Sequence, residues 1–301
     1  AATAALGLAG CVADTGTASA PSAAGTDEDA KLLAFFSRSF TRELEESPEF
    51  MTQLGMKKRY GEWDDYSDAF AQRAHAETVA DLDFMRTKID RAALSPAMRV
   101  SYDVFLFRNE LRDGRFPFRF HSYDVSHFGG PHQSVPNLLI NRHRIEDTSD
   151  AEAYIARIAA TDKLIDQTIA FMREQDAKGI TLPRFSYRLM IDDTRKIVAG
   201  APFDGPGENN IFADFKKKVA KLTVGDDEKA KLIAEAEAAL TQKLGPAYAR
   251  FLSTAEELGA RVKTDHGVGT LPGGKAYYDE CTAFHTTLKI PAADIHKLGL
   301  S

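Results

Sequence analysis

The sequence predicts a mainly α protein: an antiparallel, bundle-like array of helices with one short edge strand or hairpin near residues 115–121. Leu, Ala, Glu and Lys are plentiful while runs of β-branched residues are few, which favours helix over sheet. Apolar residues recur at three- and four-residue intervals along most of the chain, the spacing of one buried helical face. Helix-start and helix-stop signals punctuate those stretches, Ser95-Pro96 and Gly179 among them. With 301 residues, 44% hydrophobic and 27% charged, the chain has material for a substantial core.

Taken in order, the elements begin with Thr26 as an N-cap and Asp29 three residues on, opening a helix that runs to about Glu46. Leu32, Phe36, Phe40 and Leu44 form its buried stripe, and Ser47-Pro48 ends it. A short turn over Met51–Gly55 and a loop holding the only tryptophan, Trp63, follow. The next helix spans about Ser67 to Ala93 with Val79, Leu82, Met85 and Ile89 inward. Ser95-Pro96 opens another, which carries Met98, Tyr102 and Phe105 and ends near Gly114. In Arg115–His121 the phenylalanines alternate with other residues, the period of a half-buried strand, and Pro117 confines that strand to an edge. Residues 122–136 read as a loop.

Ser149-x-x-Glu152 is a capping box for a long helix with Tyr154, Ile158, Ile165, Ile169 and Met172 inward, closed by Gly179. Leu182-Pro183 starts a helix that stops at Gly200, and residues 203–210 are a loop. Helices return at 211–222 and from Asp226 to about Val262. The latter contains Gly245-Pro246, where the missing N–H must kink or divide it, while Leu240, Leu244, Tyr248, Phe251 and Leu258 continue one face across the break. The chain closes with a turn at Pro272-Gly273-Gly274, a helical run carrying Tyr277 and Tyr278, and a short helix after Pro291.

Composition narrows function. With 44 acidic and 38 basic residues the net charge is −6, which sets aside a nucleic-acid grip. The two cysteines, Cys11 and Cys281, offer no disulfide framework. Leu8-Ala9-Gly10-Cys11 looks like the lipobox of a bacterial lipoprotein, preceded by an apolar, small-residue run. Residues 1–10 then read as the remnant of a signal peptide, Cys11 as the lipidated residue, and 11–26 as a flexible tether before a domain over 27–301. Valine after the cysteine favours the outer membrane, with the domain facing the periplasm.

Chemistry-bearing residues concentrate in two stretches. The first is Tyr123–His132. Gly129 and Gly130 let backbone amides approach a ligand, and His127 or His132 could bond a peptide carbonyl or carboxylate. The spacing of His127, His132 and Asp124 matches no metal-ligand pattern, so a substrate-facing loop is the better functional reading, set against a glycine turn with satisfied histidines. The second is Tyr277, Tyr278, His285 and Thr286, where a tyrosine hydroxyl or a protonated histidine could stabilise an oxyanion; core packing and helix capping explain the same residues. Cys281 reads as a small buried hydrophobe. Adjacent Asp192 and Asp193 point apart. Arg184 and Arg188, four apart, could hold a substrate carboxylate or form a solvated face, and Lys216-Lys217-Lys218 is a solvated face. HExxH, P-loop, G-x-S-x-G and C-x-x-C motifs are all absent from the sequence.

Three stretches, LPGGKAYYDECTAFHTTLKIPAADIHKLGL (271–300), HSYDVSHFGGPHQSVPNLL (121–139) and GITLPRFSYRLMIDDTRKIVAGAPF (179–203), resemble a bacterial family known as domain of unknown function 885. Its members are mostly secreted, often lipid-anchored proteins related to HExxH zinc peptidases. The resemblance implies that this chain is the N-terminal part of a larger zinc-peptidase-like helical fold, truncated at its C-terminus. It also implies that zinc is a cofactor of the full-length protein only, with its ligands in a missing C-terminal half, and that the 301 residues alone are inactive. The expected activity is metallopeptidase-like hydrolysis of short peptides, with this half as one wall of the cleft. The alternative is a non-catalytic, helical periplasmic lipoprotein that binds a ligand or partner. Expected partners are a short peptide, the membrane through lipid on Cys11, and the missing half, with no nucleic acid.

Overall fold

The computed structural model describes residues 26–263 and 265–301; the expected signal remnant, the expected lipidation site Cys11 and nearly all of the expected tether fall on residues outside these. The described residues are mainly helical. Helices α1 (Asp27–Glu45) and α2 (Pro48–Gln53) are followed by α3 (Asp68–Lys88) and α4 (Pro96–Arg115). Then come α5 (Pro131–Asn141), α6 (Thr148–Ala177), α7 (Arg184–Ile197) and α8 (Asn210–Val219). The rest are α9 (Asp226–Ala239), α10 (Gly245–Arg261), α11 (Gly274–Thr286) and α12 (Ala292–Leu300).

Helix α6 is the axis of the molecule. It is 30 residues long and packs against α5, α9 and α10, while α7 lies on α10 and α8 bridges α5 and α9. The main core fills this assembly, with Tyr154, Ile158, Phe215, Leu240, Tyr248 and Phe251 fully or almost fully buried. A satellite core joins α1, α3 and α4 through Leu32, Phe35, Met85, Leu94 and Tyr102. The satellite also holds a polar tie: Asp81 of α3 accepts from Ser39 (2.9 Å) and Arg42 (2.6 Å) of α1. Helix α11 leans on the end of α4, where Arg115 lies 4.3 Å from the ring centre of Phe284.

Several expectations are met and others corrected. Thr26 and Asp29 form the reciprocal capping box of α1. Ser47-Pro48 does not simply end α1: Ser47 caps α2 and Pro48 is its first residue. Phe40 and Val79 are 49% and 45% exposed. Four-residue spacing advances about 40° per step, so Phe40 has rotated roughly 80° from Leu32, and Phe35 and Ser39 take the inner face. Asp147, not Ser149, caps α6. The expected loop 122–136 already contains the start of α5, which opens at Pro131 and tolerates Pro136. Lys218 is not part of a solvated face. Its ammonium donates to the carbonyls of Leu139, Ile140 and His143, each at 2.9 Å, closing the end of α5.

The edge strand near 115–121 is replaced by helical turns. Helix α4 continues through Arg115, and Phe116–Phe118 is a 3-10 turn with Pro117 at its start, where no N–H is needed. The alternating rings therefore diverge. Phe116 stacks on His75 (3.8 Å), Phe118 faces Tyr277 (6.0 Å), and Phe120 is buried against Phe171 (5.4 Å). Among the described residues there are only isolated bridges, Ser126–Gly129 and Ala201–Glu208.

The predicted break at Gly245-Pro246 takes the form of a π turn over Leu240–Leu244 between α9 and α10. Leu232, Ala236, Leu240, Leu244 and Tyr248 are all buried at four-residue spacing, a run that a straight α-helix would rotate by roughly 160°. The wider π turn absorbs much of that rotation and holds both segments on α6.

Candidate functional site

Between α4 and α5 the chain makes a tight reversal. Ser126 N donates to Gly129 O (2.9 Å), Gly129 N returns to Ser126 O (3.3 Å), and Phe128 N meets the Ser126 hydroxyl (3.3 Å). This small cage carries Phe128 at its tip, 89% exposed. His127 is fixed beside it: Nδ1 lies 2.8 Å from Ser186 Oγ of α7, and its ring contacts those of Phe128 (4.1 Å) and Phe185 (5.3 Å). Space around Gly129 is open, whereas a side chain at Gly130 would meet Asp124 O at 2.6 Å and the His132 ring at 3.0 Å. Gly130, at φ +135°, is thus required by both its conformation and its close approach.

His132 points inward. It is fully buried, its ring stacks on Phe251 (4.7 Å), and neither ring nitrogen has a hydrogen-bond partner. Burial drives its pKa down to about 3, so it is a neutral imidazole under the glycine turn. Its backbone carbonyl accepts from the Tyr248 hydroxyl of α10. His127, Gly129 and Gly130 therefore share an accessible turn, and His132 supports that turn from below.

The second stretch is more dispersed. Tyr277 is half buried against His121 (5.3 Å); burial, with the neighbouring Cys281, raises its pKa well above the ordinary phenol value. His121 Nε2 contacts Pro272 O (2.7 Å), which fixes the turn before α11. Tyr278 is 48% exposed. His285 is exposed, and Thr286 closes α11 by bonding Thr282 O (2.7 Å) and Leu288 N (3.2 Å). Phe118 to Asp124 runs from this stretch to the glycine turn and links the two, with Tyr277 packed on its near end.

Asp192 and Asp193 do point apart, toward Arg195 (3.6 Å) and Lys196 (2.7 Å). No group of three His, Cys, Asp or Glu side chains arranged to hold a metal occurs among the described residues.

A third constellation was not singled out from the sequence. Glu49, in the first turn of α2, and Asp64 of the loop after it exchange bonds: Glu49 N donates to Asp64 Oδ1 (2.9 Å) and Asp64 N to Glu49 Oε1 (3.3 Å). The Tyr66 hydroxyl also donates to Glu49 Oε1 (3.0 Å). Burial, helped by the charge of Asp64, pushes Glu49 up to about 7, and burial raises Asp64 too. Behind them Arg157 is fully buried. It donates to Glu62 O (3.0 Å), Thr52 Oγ1 (3.0 Å) and His143 Nδ1 (3.1 Å), and desolvation lowers it to about 10. His143 is thereby held as the Nε2–H tautomer, donating to Asp150 O (3.0 Å), and burial with the neighbouring guanidinium depresses it to about 3. Asp64 also lines a cavity of about 250 Å³ with Trp63, Asp65, Arg73, Lys163 and Gln167. One signal existed: Arg157 interrupts the apolar face that Tyr154 and Ile158 define, and an arginine there must be partnered.

No helix among the described residues is long and apolar enough to cross a membrane. A family model described as "Bacterial protein of unknown function (DUF885)" matches residues 48–301. No curated protein matches. Among solved structures, a protein from Colwellia psychrerythraea, provisionally named a lipoprotein, matches with a TM-score of 0.78 at 17% identity. The match covers 91% of this chain and 48% of the other, so this chain spans about half the length of that relative.

Proposed function

The chain belongs to the bacterial DUF885 family, and from that premise we propose that it is the N-terminal half of a lipid-anchored, metallopeptidase-like hydrolase of the cell envelope. In this reading it is one wall of a cleft for short peptides. The observation that carries the proposal is the Ser126–Gly130 turn. A rigid backbone cage presents Phe128 to solvent beside two glycines and a fixed histidine, the form of a surface built to be covered. Peptide backbone can approach at Gly129, where a side chain would otherwise stand, and an apolar side chain can rest on Phe128.

The relative of twice the length and the same fold supports a second half, and its provisional name supports anchoring through Cys11; the valine that follows Cys11 favours the outer membrane. Zinc would belong to that second half. Among the described residues no three His, Cys, Asp or Glu side chains are grouped to hold such an ion, and His132 is sealed in the core. What this half contributes is binding and orientation.

Hydrolysis of a short-peptide library by the full-length protein, with and without Phe128→Ala, tests the reading. The substitution should raise KM several-fold with little change in melting temperature, as expected when one exposed aromatic contact is lost. An unchanged kcat/KM would remove the turn from the cleft. Binding of peptides without turnover would leave a periplasmic binding lipoprotein instead.

A further inference from the structure

Helix α7 begins beside the glycine turn, and its outer face is unusual in composition. Arg184 and Arg188 stand one turn apart, both exposed, and neither has a carboxylate partner among the described residues. Farther along the same helix the rule is different: Arg195 bonds both Asp192 (3.6 Å) and Glu256 (2.7 Å). Asp265, the acid that reaches this end of α7, accepts from the Phe185 amide (2.8 Å). Interleaved with the two arginines are Phe185 and Leu189, 41% and 37% exposed, also one turn apart. Through His127 this stripe is continuous with Phe128, so exposed apolar surface and two unpaired guanidinium groups share one face.

Each half of that pattern calls for a ligand group. A guanidinium presents a planar fork of donors that matches a carboxylate with two parallel hydrogen bonds. Exposed aromatic rings held in fixed orientation offer contact area at little entropic cost. We propose that this face recognises the C-terminal end of a short peptide whose last residue is apolar. Arg184 and Arg188 receive the terminal carboxylate, and Phe128 with Phe185 receives the last side chain. The inference rests on the short-peptide reading above and adds its polarity and end-group requirement. A lipid surface is less well matched, because anionic bilayers are held by clusters of about four to eight basic residues and this face offers a pair.

The test is calorimetric titration of the full-length protein with three probes: Ala-Ala-Phe, its C-terminal amide, and vesicles of phosphatidylglycerol with phosphatidylethanolamine. The free acid should bind at least roughly tenfold more tightly than the amide, the usual worth of a charge-assisted contact. Arg184→Gln with Arg188→Gln should abolish that preference and leave amide affinity and melting temperature unchanged. Phe128→Ala should weaken acid and amide alike. Equal affinity for the two peptides, no peptide binding at millimolar concentration, or a preference that survives the double substitution overturns the proposal. Arginine-dependent vesicle binding without acid preference also overturns it and assigns the face to lipid. Acid-selective binding without any hydrolysis sinks the hydrolase reading alone, whereas hydrolysis without acid preference sinks this one alone.

Discussion

Burial acts with opposite consequences on Glu49 and on the two interior histidines, His132 and His143. Glu49 rises from 4.5 to about 7 on folding, so between those values the native state holds a proton that the unfolded chain has released. Stability therefore falls as pH rises through that window, by roughly 3 kcal/mol if the whole shift is realised. The histidines drop from 6.5 to about 3, so below pH 6.5 the unfolded chain takes up protons that the native state refuses. Stability then falls on acidification. Below 6.5 the histidines oppose the raised carboxylates of Glu49 and Asp64, and above it only the carboxylates titrate, which sets an optimum on the acid side of neutrality. Urea titrations across pH 4 to 9 should show that optimum, and Glu49→Gln should move it upward and stabilise the protein at pH 8 by about 2–3 kcal/mol. A variant that is no more stable at pH 8 would mean Glu49 ionises freely. Gly130→Ala offers a second check: with φ +135° and Asp124 O 2.6 Å from the added carbon, it should cost about 2 kcal/mol or more in calorimetry. At this scale the sequence was partly legible. The glycines announced a turn, but nothing local told that His132 faces Phe251 while His127 faces Ser186, because the turn between them reverses the chain and His132 already belongs to α5.

The α9–α10 junction shows how far helical periodicity can be pushed. Apolar residues at strict four-residue spacing from Leu232 to Tyr248 were visible in the sequence, and so was Pro246. Their joint solution, a π turn, was not, because either feature alone is compatible with a kink. The consequence is testable by changing length. Deleting exposed Lys243 brings the spacing back toward that of a continuous α-helix but sets the Pro246 ring against the carbonyl four residues earlier, at a cost of about 3 kcal/mol. Deletion combined with Pro246→Ala should recover most of that loss in urea denaturation. If the single deletion is as stable as the combined variant, the proline is not what the turn accommodates. The false edge strand at 115–121 has the converse origin. Alternating phenylalanines signal a pleat only when a neighbouring strand gives them a common face, and here His75, Tyr277 and Phe171 lie in three directions.

Across the whole molecule, burial is uneven. Helices α6 and α10 carry the main core, whereas α12 has no buried residue and exposes Leu298 and Leu300 by 74% and 75%. Amide hydrogen exchange on the 301-residue chain should be slowest in α6 and α10 and fastest in α12. If a second half covers this end, α12 amides should gain protection in the full-length protein; equal exchange in both would place the partner elsewhere. The mainly helical class and most helix positions followed from periodicity and caps. Which helices touch did not, since Glu49 with Asp64 and Arg157 with Thr52 are long-range pairings that no local pattern encodes.

Arg157 also bears on the order in which the protein can be made. Its guanidinium bonds Thr52 and Glu62, 105 and 95 residues earlier in the chain. Any process that delivers the chain from its N-terminus presents α2 and the Trp63 loop before their anchor arrives. For that interval the buried carboxylate pair and the indole have nothing to close upon. Docking of α2 and the Trp63 loop must therefore follow the arrival of α6.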